Sequence, residues 1–322
     1  MAEANPLERW IARWLAHQRA LGRAYVEAEW ILNHLRRHLA RANVDDLDQA
    51  GFEYWCDSFR HLSATTRRGR QLNVRKFCAY RRRTEPRCFV PDALTFVRAI
   101  PYRRPVIVAP EQVAAMLAAA DELTPRTNSP LRSAVTRLAV ILLYTAGLRR
   151  GEVVRLTLGD VEAQAGMLHI RASKFHKSRW VPLSPDAGAA VRHFLQQRLT
   201  TPYPIDPAAP LLCCGAHGYH GYSGGGLGEA VSRLFVAANI HDHEGRRPRV
   251  HDLRHSFAVQ ALVRWYQAGM DVQSHLPRLA MFMGHVSIES TAHYLHFVPT
   301  TRALASARFE AAFGDVVAGD RP

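Results

Sequence analysis

The stretch P-Y-R-R-P-V-I-V-A-P runs from Pro101 to Pro110. It holds three prolines in ten residues and no helical period. Proline fixes φ and cannot donate a backbone hydrogen bond, so such a run connects elements rather than forming one. This reading divides the chain into a domain over 1–100, a linker over 101–110 and a second domain over 111–322. Pro110 also opens the next helix, E-Q-V-A-A-M-L-A-A-A, at the first helical position, where a missing N–H costs nothing. A chain of 322 residues, 48% hydrophobic, can build two such cores.

Upstream of the linker the apolar residues repeat with helical period. Trp10, Ile11, Trp14, Leu15 and Leu21 share one face, as do Trp30, Ile31, Leu35 and Leu39. A third helix is expected over Phe52–Leu62. A fourth follows Thr65-Thr66, where a threonine can cap its start. That fourth segment carries Arg67, Arg68, Arg70, Arg75, Lys76 and Arg81 around an apolar face of Val74, Phe77 and Cys78. A charge run is commonly a solvated face. This density on one short helix points to phosphate contacts.

Downstream, a long helix over Leu131–Ala146 ends at Gly147. M-L-H-I-R-A and R-W-V-P-L, separated by a polar turn, read as an antiparallel hairpin. Residues 213–228 are glycine-rich but do not follow a strand in a βαβ unit, so they read as a flexible loop. The fold class is therefore mainly α with a small antiparallel β-sheet.

The formal net charge is +14, which points to a polyanionic partner such as nucleic acid. Of 42 Lys+Arg residues only Lys76, Lys174 and Lys177 are lysine. Two of them fall in the hairpin turn, beside Arg179. Lysine can give up a proton near neutral pH and arginine cannot, so a lysine of this turn is a candidate acid. The five cysteines are irregularly spaced, without a zinc or disulfide pattern. With no signal peptide and no apolar run of membrane length, a cytoplasmic, nucleoid-associated protein is expected.

Four motifs carry chemistry. T-A-G-L-R-R-G-E places Arg149 at a helix junction with Glu152 three residues on. An arginine there can aim its planar fork at a phosphate, or simply pair with Glu152. S-K-F-H-K-S-R-W-V-P-L carries Lys174, Lys177 and Arg179. In H-D-L-R-H, His251 shares a helix face with both Arg254 and His255. The two histidines admit a metal reading, but a zinc-protease helix needs Glu where this chain has Asp252. G-H-V-S-I-E-S-T-A-H-Y-L-H-F contains His285 and, nine residues later, Tyr294, with His293 and His296 beside it.

These motifs, in this order from Gly147 to Tyr294, resemble the tyrosine recombinase (phage integrase) family. The resemblance implies a helical core-binding domain followed by a catalytic domain, clamped together on duplex DNA. It implies that Tyr294 attacks a phosphodiester and forms a 3′-phosphotyrosyl link. Arg149 and Arg254 would hold the non-bridging oxygens, and Lys174 would protonate the leaving 5′-oxygen. His251 would assist proton transfer at the tyrosine, His285 would bond the phosphate, and Glu152 would orient the site. Arg67, Arg68, Arg70, Arg75, Lys76, Arg81, Lys177 and Arg179 would contact DNA. Neither metal, cofactor nor ATP is implied, and His293 and His296 receive no step.

The implied partner is a double-stranded recombination site, used in integration or transposition by a homotetramer. In it the segment carrying Leu304, Phe309, Ala312 and Phe313 packs on a neighbour. The same segment could instead dock on its own domain. A type IB topoisomerase would share this chemistry, and a DNA-binding protein without catalysis would share the charge.

Overall fold

The computed structural model describes residues 6–23, 25–98, 103–171, 178–285 and 287–297. By its own contacts the chain divides into two compact units, Met1–Arg103 and Arg104–Pro322.

The first unit is built from α1 (Pro6–Ala20), α2 (Val26–Arg41), α3 (Gln49–Asp57) and α4 (Ala64–Arg81). Their apolar stripes meet in one core that buries Leu7, Trp14, Leu32, Leu35, Trp55 and Phe77. Each such side chain contributes about 1.5–3 kcal/mol on leaving water. The third helix starts and stops earlier than its apolar pattern predicts. Asp48 accepts a hydrogen bond from the Gly51 amide at 2.7 Å and so fixes its start. The fourth helix is capped by Ser63, not by a threonine: Ser63 Oγ accepts from the Thr66 amide at 3.3 Å.

The second unit begins its helices with α5 (Pro110–Asp121) and α6 (Arg132–Thr145), followed by the short α7 (Arg150–Val153). Three strands, β1 (Val161–Glu162), β2 (Met167–Ile170) and β3 (Arg179–Pro182), pair antiparallel in that order. The register places Leu168 opposite Val181, both fully buried. Then come α8 (Pro185–Leu199), β4 (Cys213–Cys214), β5 (His220–Gly221), α9 (Gly224–Ala237), α10 (Val250–Gln267), α11 (Val272–Met283) and α12 (Glu289–Ala292).

The fold is mainly α with small antiparallel sheets. The glycine-rich stretch over 213–228, expected as a flexible loop, is ordered instead. It forms the β4–β5 pair and the first turn of α9. Ser223 caps that helix by accepting from the Gly226 amide at 3.0 Å. Leu227, Val231, Leu234 and Phe235, at helical spacing, pull it into the core. Tertiary burial overrides the weak local propensity of its glycines.

No helix among the described residues is long and apolar enough to cross a membrane. The linker residues 101–102 and the segment holding Leu304, Phe309, Ala312 and Phe313 lie outside the described residues.

Candidate active site

The helix α6 stops at Ala146, and Gly147 turns the chain with φ +57°. A Cβ on Gly147 would come within 2.4 Å of the Phe257 ring, so both the backbone angle and the space call for glycine. Two residues later Arg149 caps α7. Its amide donates to Glu152 Oε2 at 2.9 Å and its guanidinium to Glu152 Oε1 at 2.8 Å. The Arg149–Glu152 pairing, one of the two readings the motif allows, is present, and the pair has a further member. Arg179 on β3 grips the same carboxylate with two N–H groups, at 3.1 and 3.0 Å.

The C-terminal end of α11 organises the cations. The last carbonyls of a helix lack intrahelical partners and carry partial negative charge. Here the carbonyls of three consecutive residues each receive one arginine. Arg179 Nε donates to Phe282 O at 2.8 Å, Arg254 Nη2 to Met283 O at 2.6 Å, and Arg149 Nη2 to Gly284 O at 2.7 Å. Arg254 also donates to the Gly147 carbonyl. The two sequence-predicted arginines are thus locked to one helix end, together with a third.

His285 follows directly on this turn, and its Nδ1 lies 2.7 Å from the Thr291 hydroxyl. Tyr294 sits on a 3-10 turn over His293–Phe297 and is only 3% exposed. Its hydroxyl meets His255 Nδ1 at 3.1 Å. The sequence offers His255 only as a metal partner of His251. The two rings meet edge-on, with centroids 4.7 Å apart. Asp252, between them, is fully buried and caps α10 by accepting from the Arg249 amide at 3.0 Å. Among the described residues no group of three or more His, Cys, Asp or Glu is placed to hold a metal ion.

Burial and neighbouring cations shape the electrostatics. Desolvation, then Arg149, lower Arg254 to about 10. Desolvation, then Arg254, push His285 down to about 3. Desolvation and then His251 lower His255 to about 4, and desolvation followed by Arg254 lowers His251 as well. These imidazoles are neutral near pH 7, while the positive charge of the site resides on its arginines.

The structure brings together Arg149, Glu152, His251, Arg254, His285 and Tyr294. Lys174 and Lys177 lie outside the described residues. Arg179, expected at DNA, is committed instead to Glu152 and Phe282. Arg81, also expected at DNA, is buried and pairs with Asp46 and Glu85. On the same helix Arg68 donates to Val97 O at 3.1 Å, Arg75 donates to Pro91 O, and Arg70 stacks over Trp30 at 4.6 Å. Arg67 is half-buried and Lys76 is exposed.

The phage integrase family matches residues 107–300 of this sequence. The chain belongs to that family and is a site-specific tyrosine recombinase. It is 34% identical over 250 residues to the putative integrase/recombinase y4rB of Sinorhizobium fredii, covering 75% of this chain and 77% of that one. It is 27% identical over 269 residues to the tyrosine recombinase XerD of Ralstonia nicotianae, covering 84% and 79%. Among solved structures, the Tn1549 transposon integrase in complex with a circular intermediate DNA superposes with TM-score 0.61 at 18% identity, over 90% of this chain and 95% of that one. At that identity the likeness is one of fold.

Proposed function

We propose that Tyr294 opens a phosphodiester of duplex DNA by direct attack, forming a phosphotyrosyl ester at the 3′ side. The Tyr294 oxygen gives up its proton to a neutral imidazole of the site and bonds to phosphorus as the bond to the 5′-oxygen breaks. The leaving 5′-oxygen takes a proton, which the family resemblance assigns to Lys174. A second 5′-hydroxyl reverses the step on a new partner. One phosphodiester replaces another, so the exchange is near isoenergetic and needs no ATP.

The observation that carries this reading is the array of Arg149 and Arg254 on the α11 carbonyls, directly before His285, whose ring centroid lies 6.1 Å from that of Tyr294. Fixed donors of this kind stabilise the charge that builds on non-bridging oxygens, without reorganising during the reaction. In this reading the Thr291 hydroxyl donates to His285 Nδ1, which puts the ring proton on Nε2 for donation to the phosphate. Relatives named integrase/recombinase support a task in moving DNA between sites, here on paired sites held by a tetramer.

A nicked suicide substrate tests this. Wild type should leave a covalent protein–DNA adduct, in EDTA as well as without it. Tyr294→Phe should bind the same DNA with unchanged affinity and form no adduct. An adduct surviving in that variant would place the nucleophile elsewhere. Relaxation of supercoils without recombinants from paired sites would instead mark a topoisomerase.

A further inference from the structure

We propose that His255 positions the nucleophile, its Nδ1 holding the Tyr294 hydroxyl in the orientation from which it attacks. This rests on the reading of Tyr294 as the nucleophile. The resemblance assigns help at the tyrosine to His251, one helical turn earlier. The geometry points to His255: its Nδ1 lies 3.1 Å from the phenol oxygen, and the ring centroids are 5.4 Å apart.

The support behind His255 is rigid. It lies within α10, the helix that also supplies Arg254, next to the fully buried Arg254 and Ser256. Ser256 Oγ accepts from the Val108 amide at 2.8 Å and donates to Asp252 O, so this turn of the helix is tied at both ends. Tyr294 itself packs into the apolar cluster of Val259, Leu262, Leu276 and Met283. One helix therefore fixes both a guanidinium and the attacking oxygen, which sets their separation. With its own proton on Nε2, the neutral imidazole accepts the phenol O–H at Nδ1 and so fixes the direction of the O–H bond. Orientation of this kind acts on the rate of the bound complex and not on DNA affinity.

The test is single-turnover cleavage of the suicide substrate at saturating DNA, with affinity and melting temperature measured in parallel. His255→Ala should slow cleavage about tenfold or more, the loss of one orienting hydrogen bond, with DNA affinity unchanged. His255→Asn places an amide where Nδ1 stood and should restore the rate to within about threefold of wild type. His255→Gln places its amide where Nε2 stood and should stay as slow as alanine. Asparagine and glutamine carry the same group, so their contrast reads position even if the alanine variant is poorly folded. Wild-type speed in His255→Ala, faster cleavage by it, or equal rates for Asn and Gln would overturn the proposal. In those cases a wild-type adduct mapped to Tyr294 leaves the nucleophile reading intact. An adduct persisting in Tyr294→Phe removes that reading and this one with it.

Discussion

Glu152 has two oxygens and serves two arginines as well as the amide that starts α7. Its side chain is 1% exposed, so water cannot substitute for a lost partner. Glu152→Gln replaces one acceptor oxygen with an NH2 group facing guanidinium donors. Removing one side of a buried ion pair costs about 3–5 kcal/mol, because the other charge stays buried. Urea melting should show a loss of that order, and cleavage should fall as Arg149 loses its anchor. An unchanged melt would mean that the carbonyls of α11 alone hold the arginines. The Arg149–Glu152 contact was legible in the sequence, because i,i+3 residues at a helix start are neighbours. The Arg179 contact was not, since it joins a strand to a helix start across 27 residues. A charge in a sequence does not say whether its counter-ion is phosphate or protein.

At the scale of elements, the site depends on where helices end. α6 ends at Gly147 and α11 at Gly284, and both glycines have positive φ. The first end was visible in advance, because Gly147 follows the last periodic residue of α6; the helix that ends at Gly284 was not read from the sequence. What could not be read was that the second end is a cation receptor. That follows from three elements, β3, α7 and α10, converging on one set of carbonyls. A Cβ on Gly284 would lie 2.8 Å from Arg179 Nη1, at a φ of +65° that a side chain tolerates poorly. Gly284→Ala should therefore cost about 1–2 kcal/mol in strain and push Arg179 off Phe282 O and Glu152. Cleavage should drop more steeply than stability, since Arg149 and His285 flank the same turn. Melting and single-turnover cleavage measured on one preparation check this; a variant that loses stability yet keeps its rate would detach the turn from catalysis. The glycine-rich stretch over 213–228 teaches the opposite lesson. Its local composition favours a loop, and only burial of Leu227, Val231, Leu234 and Phe235 makes part of it a helix.

For the whole molecule, the count of 42 Lys+Arg residues overstates the cations offered to DNA. Arg81 and Arg179 spend donors on protein carboxylates. The composition announced a polyanionic partner correctly but could not sort structural arginines from phosphate-facing ones. On α4 the sorting can be measured. Lys76 is exposed, whereas Arg81 is 6% exposed and bound to Asp46, 35 residues away. A lysine that neutralises one phosphate contributes about one unit to the slope of log K against log salt. Lys76→Ala should lower that slope by about one and leave the unfolding free energy within about 0.5 kcal/mol of wild type. Arg81→Ala should do the reverse, with the slope unchanged and about 1–3 kcal/mol of stability lost as Asp46 and Glu85 lose their shared cation. Salt titrations of DNA binding and denaturant melts on the two variants separate these effects. An Arg81→Ala slope that falls like that of Lys76→Ala would mean that Arg81 leaves its carboxylates for phosphate when DNA binds.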